Sequence, residues 1–176
     1  MLEKSIQKIT VRELSDFADI NRGTFYLHYK DVFDLLDQIE NKLIKDFSEV
    51  LNQYPSLLVR SNDHRLLVDV FAFIESNEDI MRVLLCKNSD PHFLDQLKNN
   101  VKTRYFDDWQ QIYLTPAPIE IEYFFSYFLS GCIGLIIHWL STGMTQSPEQ
   151  IAKLTKSMIL EGNNFLNTIN NPVINH

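Results

Sequence analysis

The chain has 176 residues, 45% of them hydrophobic and 12% aromatic, with a formal net charge of -7. That composition supports a buried core of one compact unit or two closely packed ones, and it argues against disorder over most of the length. Two widely separated cysteines, Cys86 and Cys132, argue against a disulfide framework or a cysteine-ligated metal site, and the acidic balance argues against a general nucleic-acid coat protein.

The opening segment "MLEKSIQKIT" has no apolar h-region or small-residue cleavage site, so no signal peptide is expected and a reducing cytoplasm is the expected compartment. Apolar residues recur at spacings of three and four almost throughout, and the fold class expected is all-α. "TVRE", Thr10 to Glu13, has the form of a capping box, which predicts a short helix from Val11 to Ala18. Asp19, Ile20 and Asn21 form a tight turn, and Asn21 caps a second helix that ends near Tyr29. Asp31 caps a long helix with an apolar stripe of Val32, Leu36, Ile39, Leu43, Phe47 and Val50, which stops before Pro55.

Further helices are predicted over about 63–76, over 78–87 with Asn77 as cap, and from Pro91 to about Tyr113. "LTPAP" breaks the chain. The stretch "YFFSYFLSGCIGLIIHWL", residues 123–140, is uncharged over the minimum length for a membrane span. It contains serines, His138 and two glycines and has no flanking Lys or Arg, so it reads as a helix buried on all sides, in part by a second subunit, with no membrane partner expected. "SPEQ" opens the last helix, with Ser147 and Gln150 as a capping box and Pro148 in the first turn, and this helix runs to about Asn167.

The charge is unevenly spread. Residues 1–30 balance to +1 and residues 31–176 to -8, which places any contact with a polyanion in the N-terminal fifth. There, "VRELSDFADINRGTFYLHY" has the spacing of two short helices joined by a tight turn, the arrangement that sets the second helix into a major groove. Phe25 and Tyr29 share a face and are expected to pack inward with Ile20 against Leu14 and Phe17. Arg22, Gly23, Tyr26 and Leu27 then face outward. Gly23 permits close approach, Arg22 suits guanine acceptors and Leu27 a thymine methyl. Thr24, Tyr26, His28 and Lys30 suit phosphate, and the helix starting at Asp31 is expected to offer free backbone amides to the same anion.

The stretch "ITVRELSDFADINRGTFYLHYKDVFDLL" closely resembles the DNA-binding domain of the TetR family of bacterial transcriptional regulators, specifically over residues 5–45. The resemblance implies a DNA-binding domain over 1–45 and an effector-binding and dimerisation domain over 46–176. It implies a candidate DNA-contact set of Thr10, Asn21, Arg22, Gly23, Thr24, Tyr26, Leu27, His28 and Lys30. "FLSGCIGLIIHWLSTGMTQSPEQIAK" is similar to the last two helices of a common subgroup, which pair with their copies in a homodimer. Candidates for that interface are Ser130, Gly131, Gly134, Ile137, His138, Ile151, Leu154 and Met158.

Two departures stand out. Family members carry a further helix before the segment matching "EKSIQKITV", where this sequence has a stub, Met1 to Ser5, so a truncation or a start further upstream is expected. Many members also have a phosphate-contacting lysine where Val32 stands.

The aromatic set Phe71, Phe73, Phe93, Tyr105, Phe106, Trp109, Tyr113, Tyr123, Phe124, Tyr127 and Trp139 offers core or the lining of a pocket for a small-molecule effector, with Phe71, Phe106, Trp109, Tyr123 and Tyr127 as the pocket candidates. No phosphate loop, nucleophile elbow or metal spacing is present, so no enzyme activity, cofactor or metal is expected. The expected function is a dimeric regulator, a repressor of a palindromic operator in double-stranded DNA, released by an effector. The alternatives are a DNA-silent dimeric binding module derived from such a regulator and a small membrane-associated helical protein.

Overall fold

A computed structural model describes residues 4–54, 64–87, 91–112 and 118–170, with the side chains at 87, 108–112, 118 and 160–170 outside that description. Among the described residues the fold is all helical, with no strand. A single 3₁₀ turn, Ile6–Lys8, precedes α1 (Val11–Phe17), α2 (Arg22–His28) and the long α3 (Val32–Asn52). After these come α4 (Arg65–Ser76), α5 (Glu78–Met81), a π-wound segment (Arg82–Lys87), α6 (Pro91–Ile112), α7 (Pro118–Ser141) and α8 (Pro148–Asn170). Tyr113, positions 114–117 of the "LTPAP" break and Pro55 lie outside the described residues, while Pro118 opens α7.

Local chemistry accounts for most helix ends. The Thr10 hydroxyl accepts from the Glu13 amide at 3.2 Å while the Glu13 carboxylate accepts from the Thr10 amide at 3.0 Å, so each side chain satisfies a backbone donor that the first helical turn leaves free. Ser147 and Gln150 repeat the box at α8, at 2.9 and 3.3 Å. Asn77 departs from expectation. It ends α4 rather than capping α5: its side-chain amide donates to the Phe73 carbonyl at 2.8 Å, and it makes no side-chain cap on α5. Glu78–Met81 and the π-wound turn that follows then replace the single helix predicted over 78–87.

Two apolar clusters form the core. One gathers Phe47 and Leu51 of α3, Leu66, Tyr105, and Ile121, Phe124, Phe125 and Leu129 of α7. The other joins Leu43, Phe71, Met81, Leu84, Phe93, Trp139, Leu140, Ile151 and Ala152, with Phe71 edge-on to Trp139 at 5.3 Å. A fully buried aromatic of this kind stabilises by about 2–3 kcal/mol. Trp139 also donates its indole N–H to the Gln146 carbonyl at 2.9 Å, which fixes the α7–α8 turn through Gly143 and Met144, both at positive φ. α8 lies along α4, and His64 meets Glu149 at 2.5 Å where the two helices begin.

α7 is not buried on all sides. Its apolar length, Ile119–Ser141, is sufficient to cross a membrane, yet only 22% of that window is buried within the subunit. The uncovered side carries Glu122, Ser126, Ser130 and His138 beside Tyr123 and Tyr127, a polar content that hydrocarbon would penalise. None of the described residues covers this face.

Candidate functional site

The first site is built by α1, α2 and the turn between them. The Ile20 amide reaches back to the Ser15 carbonyl at 3.0 Å, and Asp19 sits at φ 53. This closes α1 in a left-handed cap that asparagine, aspartate and glycine tolerate best. Asn21 then starts α2 by accepting from the Gly23 amide at 2.8 Å. Phe25 is 3% exposed and stacks with Tyr29 at 5.3 Å, so it anchors the helix inward. Arg22, Gly23, Thr24, Tyr26, Leu27 and His28 are all exposed, and so is Lys30 just beyond. Leu27, at 80% exposure, has no packing role among the described residues.

Two expectations about this region need correction. Phe17 does not pack inward with Phe25. It is 93% exposed, because α1 turns its Ser15 side toward the core, and Ile20 is also open to solvent. Nor does α3 leave its whole first turn free for a phosphate: the Phe33 and Asp34 amides are both held by the Asp31 carboxylate at 2.8 and 2.9 Å, and the preceding Lys30 amide by Asp34 at 2.8 Å. The backbone hydrogen bond from Lys30, with a lesser one from Gln38, holds the Asp34 carboxyl below its usual range. An anion at this turn would face two carboxylates, so phosphate contact is left to side chains such as Lys30, Tyr26 and His28. Thr10 is likewise engaged in its capping box.

The second site is a partly open cavity of about 110 Å³ lined by Phe47 and Leu51 of α3, Val70 and Phe73 of α4, Met81 and Leu85, Leu97, Lys98, Val101 and Tyr105 of α6, and Phe128, Leu129, Cys132 and Ile136 of α7, among others. Its lining surface is wholly apolar. Burial pushes the Cys132 thiol up to about 12, so it remains a protonated wall group at neutral pH.

None of the expected pocket residues whose side chains are described lines this space. Phe71 belongs to the second core cluster and Phe106 stacks on Phe125 at 5.4 Å. Tyr123 and Tyr127 are each 72% exposed, and the Trp109 side chain lies outside the described residues. From the wider aromatic set, Phe73 and Tyr105 do line it. The cavity-forming residues that sequence reasoning missed are chiefly the aliphatics of α3, α4 and α7 and the lone cation Lys98. Their only sequence signal was helical spacing, which every core residue shares.

On the open side of α7, Gly131 and Gly134 have no heavy atom within 4 Å of where a Cβ would stand. Ser130 and His138 are exposed there, and Leu154 and Met158 are about half exposed on α8. Ile137 is half-buried and packs on the core, and Ile151 is 5% exposed inside it, so Ile151 does not stand on the uncovered face. A shallow hollow of about 120 Å³ between the two helices includes Tyr127, Gly131 and Met158.

Comparison with known proteins gives these features a lineage. The family model for the TetR transcriptional regulator C-terminal region matches residues 61–161. The chain is 24% identical over 165 residues to the uncharacterized HTH-type transcriptional regulator YxbF of Bacillus subtilis (strain 168), covering 86% of this chain and 39% of that protein. It thus spans about two-fifths of the length of this curated relative. The crystal structure of a TetR transcriptional regulator from Streptococcus agalactiae 2603V superposes with a TM-score of 0.61 at 25% identity, over 86% of this chain and 82% of the other. The chain belongs to the TetR family of transcriptional regulators.

Proposed function

We propose that this chain is a two-fold dimeric, cytoplasmic repressor that binds a palindromic operator and is released from it by a small-molecule effector. The observation that carries the reading is α2, in which Phe25 alone is buried while Arg22, Gly23, Thr24, Tyr26, Leu27 and His28 stand in solvent on a helix fixed at both ends. Such a helix is held rigidly while contributing little core, as a helix entering a major groove requires. In this reading residues 1–45 form the reading head and 46–176 the regulatory domain.

Arg22 addresses base acceptors, and Lys30, Tyr26 and His28 address phosphates. The uncovered face of α7, with Ser130, Gly131, Gly134 and His138, pairs with its copy together with Leu154 and Met158 of α8. That pairing covers the mixed polar and aromatic face that α7 leaves open and places two reading heads on one duplex, with half-sites one or more helical turns apart. The apolar cavity receives the effector. Phe47 and Leu51 in its wall belong to α3, the same helix whose first turn follows Lys30. An effector that fits one setting of α3 better than another shifts the population of reading-head spacings, by an amount limited to its differential affinity.

The test is binding of the chain to DNA upstream of its own coding sequence, by fluorescence anisotropy at two salt concentrations. Sequence-selective binding that weakens steeply with salt, and falls about tenfold or more on Arg22→Ala, is expected. Absence of selective binding, with Arg22→Ala indistinguishable from the parent, would leave a DNA-silent binding module instead.

A further inference from the structure

The apolar cavity is not closed off from polar surface. A groove of about 400 Å³ runs between α6 and α7, lined by Asp95, Lys98, Asn99, Lys102, Glu122, Tyr123, Phe125, Ser126 and Leu129. Two residues, Lys98 and Leu129, belong to the walls of both spaces. Because the cavity surface is wholly apolar, Lys98 contributes only its methylene stem there, as long cationic side chains do when the charged end can reach water.

The charges in the groove are not equivalent. Lys102 is engaged by Glu122 at 3.2 Å and lies over the Phe106 ring at 5.3 Å. Lys98 makes no ion pair or hydrogen bond among the described residues. Asp95 and Glu122 line the groove alone and take no part in the cavity wall. A molecule passing from cavity to groove therefore passes Lys98, whose charge has no ion-pair partner among the described residues.

Resting on the reading of this cavity as the effector site, we infer that the effector is an amphiphile with a slender apolar tail and a single anionic head of the carboxylate type. The tail fills the cavity against Val70, Phe73 and Ile133, and the head stands in the groove against Lys98. An apolar cavity of roughly 150 Å³ admits a molecule of benzene's size, so this one, at about 110 Å³, takes a tail segment of roughly four carbons, with the remainder crossing the junction. Such a cavity holds no partner for a polar tail, which would lose its hydration without compensation.

The experiment is calorimetric titration of the intact chain with octanoate, octan-1-ol and octylammonium, with the methyl NMR signals of Leu129 and Ile133 reporting where each binds. Octanoate is expected to bind at least about tenfold tighter than the alcohol, and octylammonium more weakly than either, with both methyl signals shifting. Lys98→Met, a change at a half-buried site whose effect on folding is read from an unchanged melting curve, is expected to bring octanoate down to the level of the alcohol and leave the alcohol within about twofold. Equal binding of octanoate and alcohol with both methyls shifted, or tighter binding of octylammonium, overturns the anionic head, and an octanoate preference that survives Lys98→Met overturns its pairing with Lys98; each leaves the effector cavity standing. Failure of all three to shift either methyl overturns the cavity reading as well.

Discussion

Tyr105 of α6 donates its hydroxyl proton to the Leu51 carbonyl, 3.0 Å away on the last turn of α3, and lies 3.2 Å from the Tyr54 carbonyl beyond it. Tyr105 is wholly buried and also lines the apolar cavity. One side chain thus touches both the space available to a ligand and the end of the helix that leads to α2. Removing the hydroxyl with Tyr105→Phe leaves a buried carbonyl without this donor and is expected to lower stability by about 1–2 kcal/mol, measured by urea denaturation. In the regulator reading the same change leaves DNA affinity within about threefold and reduces the ligand-induced change in it, which anisotropy with and without octanoate would reveal.

Gly23 separates folding from recognition. A Cβ added there would meet the Asn21 side-chain oxygen at 3.4 Å, an ordinary contact, and alanine is the better helix former by up to about 1 kcal/mol. Gly23→Ala is therefore expected to keep or raise thermal stability. If α2 approaches a base edge or phosphate at this point, the added methyl lowers operator affinity by about tenfold or more. A variant that is no less stable and binds DNA undiminished would remove Gly23 from the contact surface.

The open flank of α7 gives a test of association that does not disturb the subunit. Nothing lies within 4 Å of a Cβ at Gly134, and leaving glycine improves helix propensity. Gly134→Arg is expected to retain the circular dichroism of the parent and to halve the mass in light scattering, because two guanidinium groups would meet across the two-fold axis. An unchanged dimer mass would place the interface elsewhere.

Two carboxylates make the N-terminal region sensitive to acid. Glu13 is held below its usual range first by the hydrogen bond from Lys4, then by those from Thr10, and Asp34 by the Lys30 amide. Both pKa values are depressed in the folded state, so their contributions are present above the ordinary carboxylate range and are lost as the pH falls through the folded-state values. Amide exchange in α1 and at the start of α3 is expected to quicken below about pH 4, the ordinary carboxylate range. Lys4→Met, which removes the first of these hydrogen bonds and the charge behind it, should move the Glu13 titration back toward its usual position, as a carboxyl-directed NMR titration would show.

The helix ends were the most legible part of the fold, because a cap is decided within four residues. Thr10 with Glu13, Asn21, Asp31, and Ser147 with Gln150 could all be read from side-chain chemistry and spacing. The outward set on α2 was legible for the same reason, since a seven-residue helix with one buried phenylalanine leaves few choices. Phe17 was misread because its surroundings depend on what lies against α1, which no local pattern encodes. The amides of α3 were read too generously because Asp31 and Asp34, seen as a cap and a neighbour, together take the Phe33, Asp34 and Lys30 donors. The cavity was illegible altogether: Phe47, Val70, Leu97 and Ile136 come from four helices and carry the same spacing as any core residue. Lys98 stood out from none of the other surface lysines until α6 and α7 were set side by side.

The length of α3 has a mechanical consequence. Its 21 residues span about 30 Å at a rise of roughly 1.5 Å per residue, with Leu51 against the cavity at one end and Asp31 beside the reading helix at the other. A rigid rod of that length pivoting by about five degrees near Leu51 carries its far end through roughly 2.6 Å. Two such rods related by a two-fold axis change the separation of their tips by up to about 5 Å, more than the 3.4 Å or so between neighbouring base pairs. In the regulator reading, a ligand displacing a few side chains by fractions of an ångström would therefore have enough gearing in this helix alone to take a matched pair of heads out of step with the duplex.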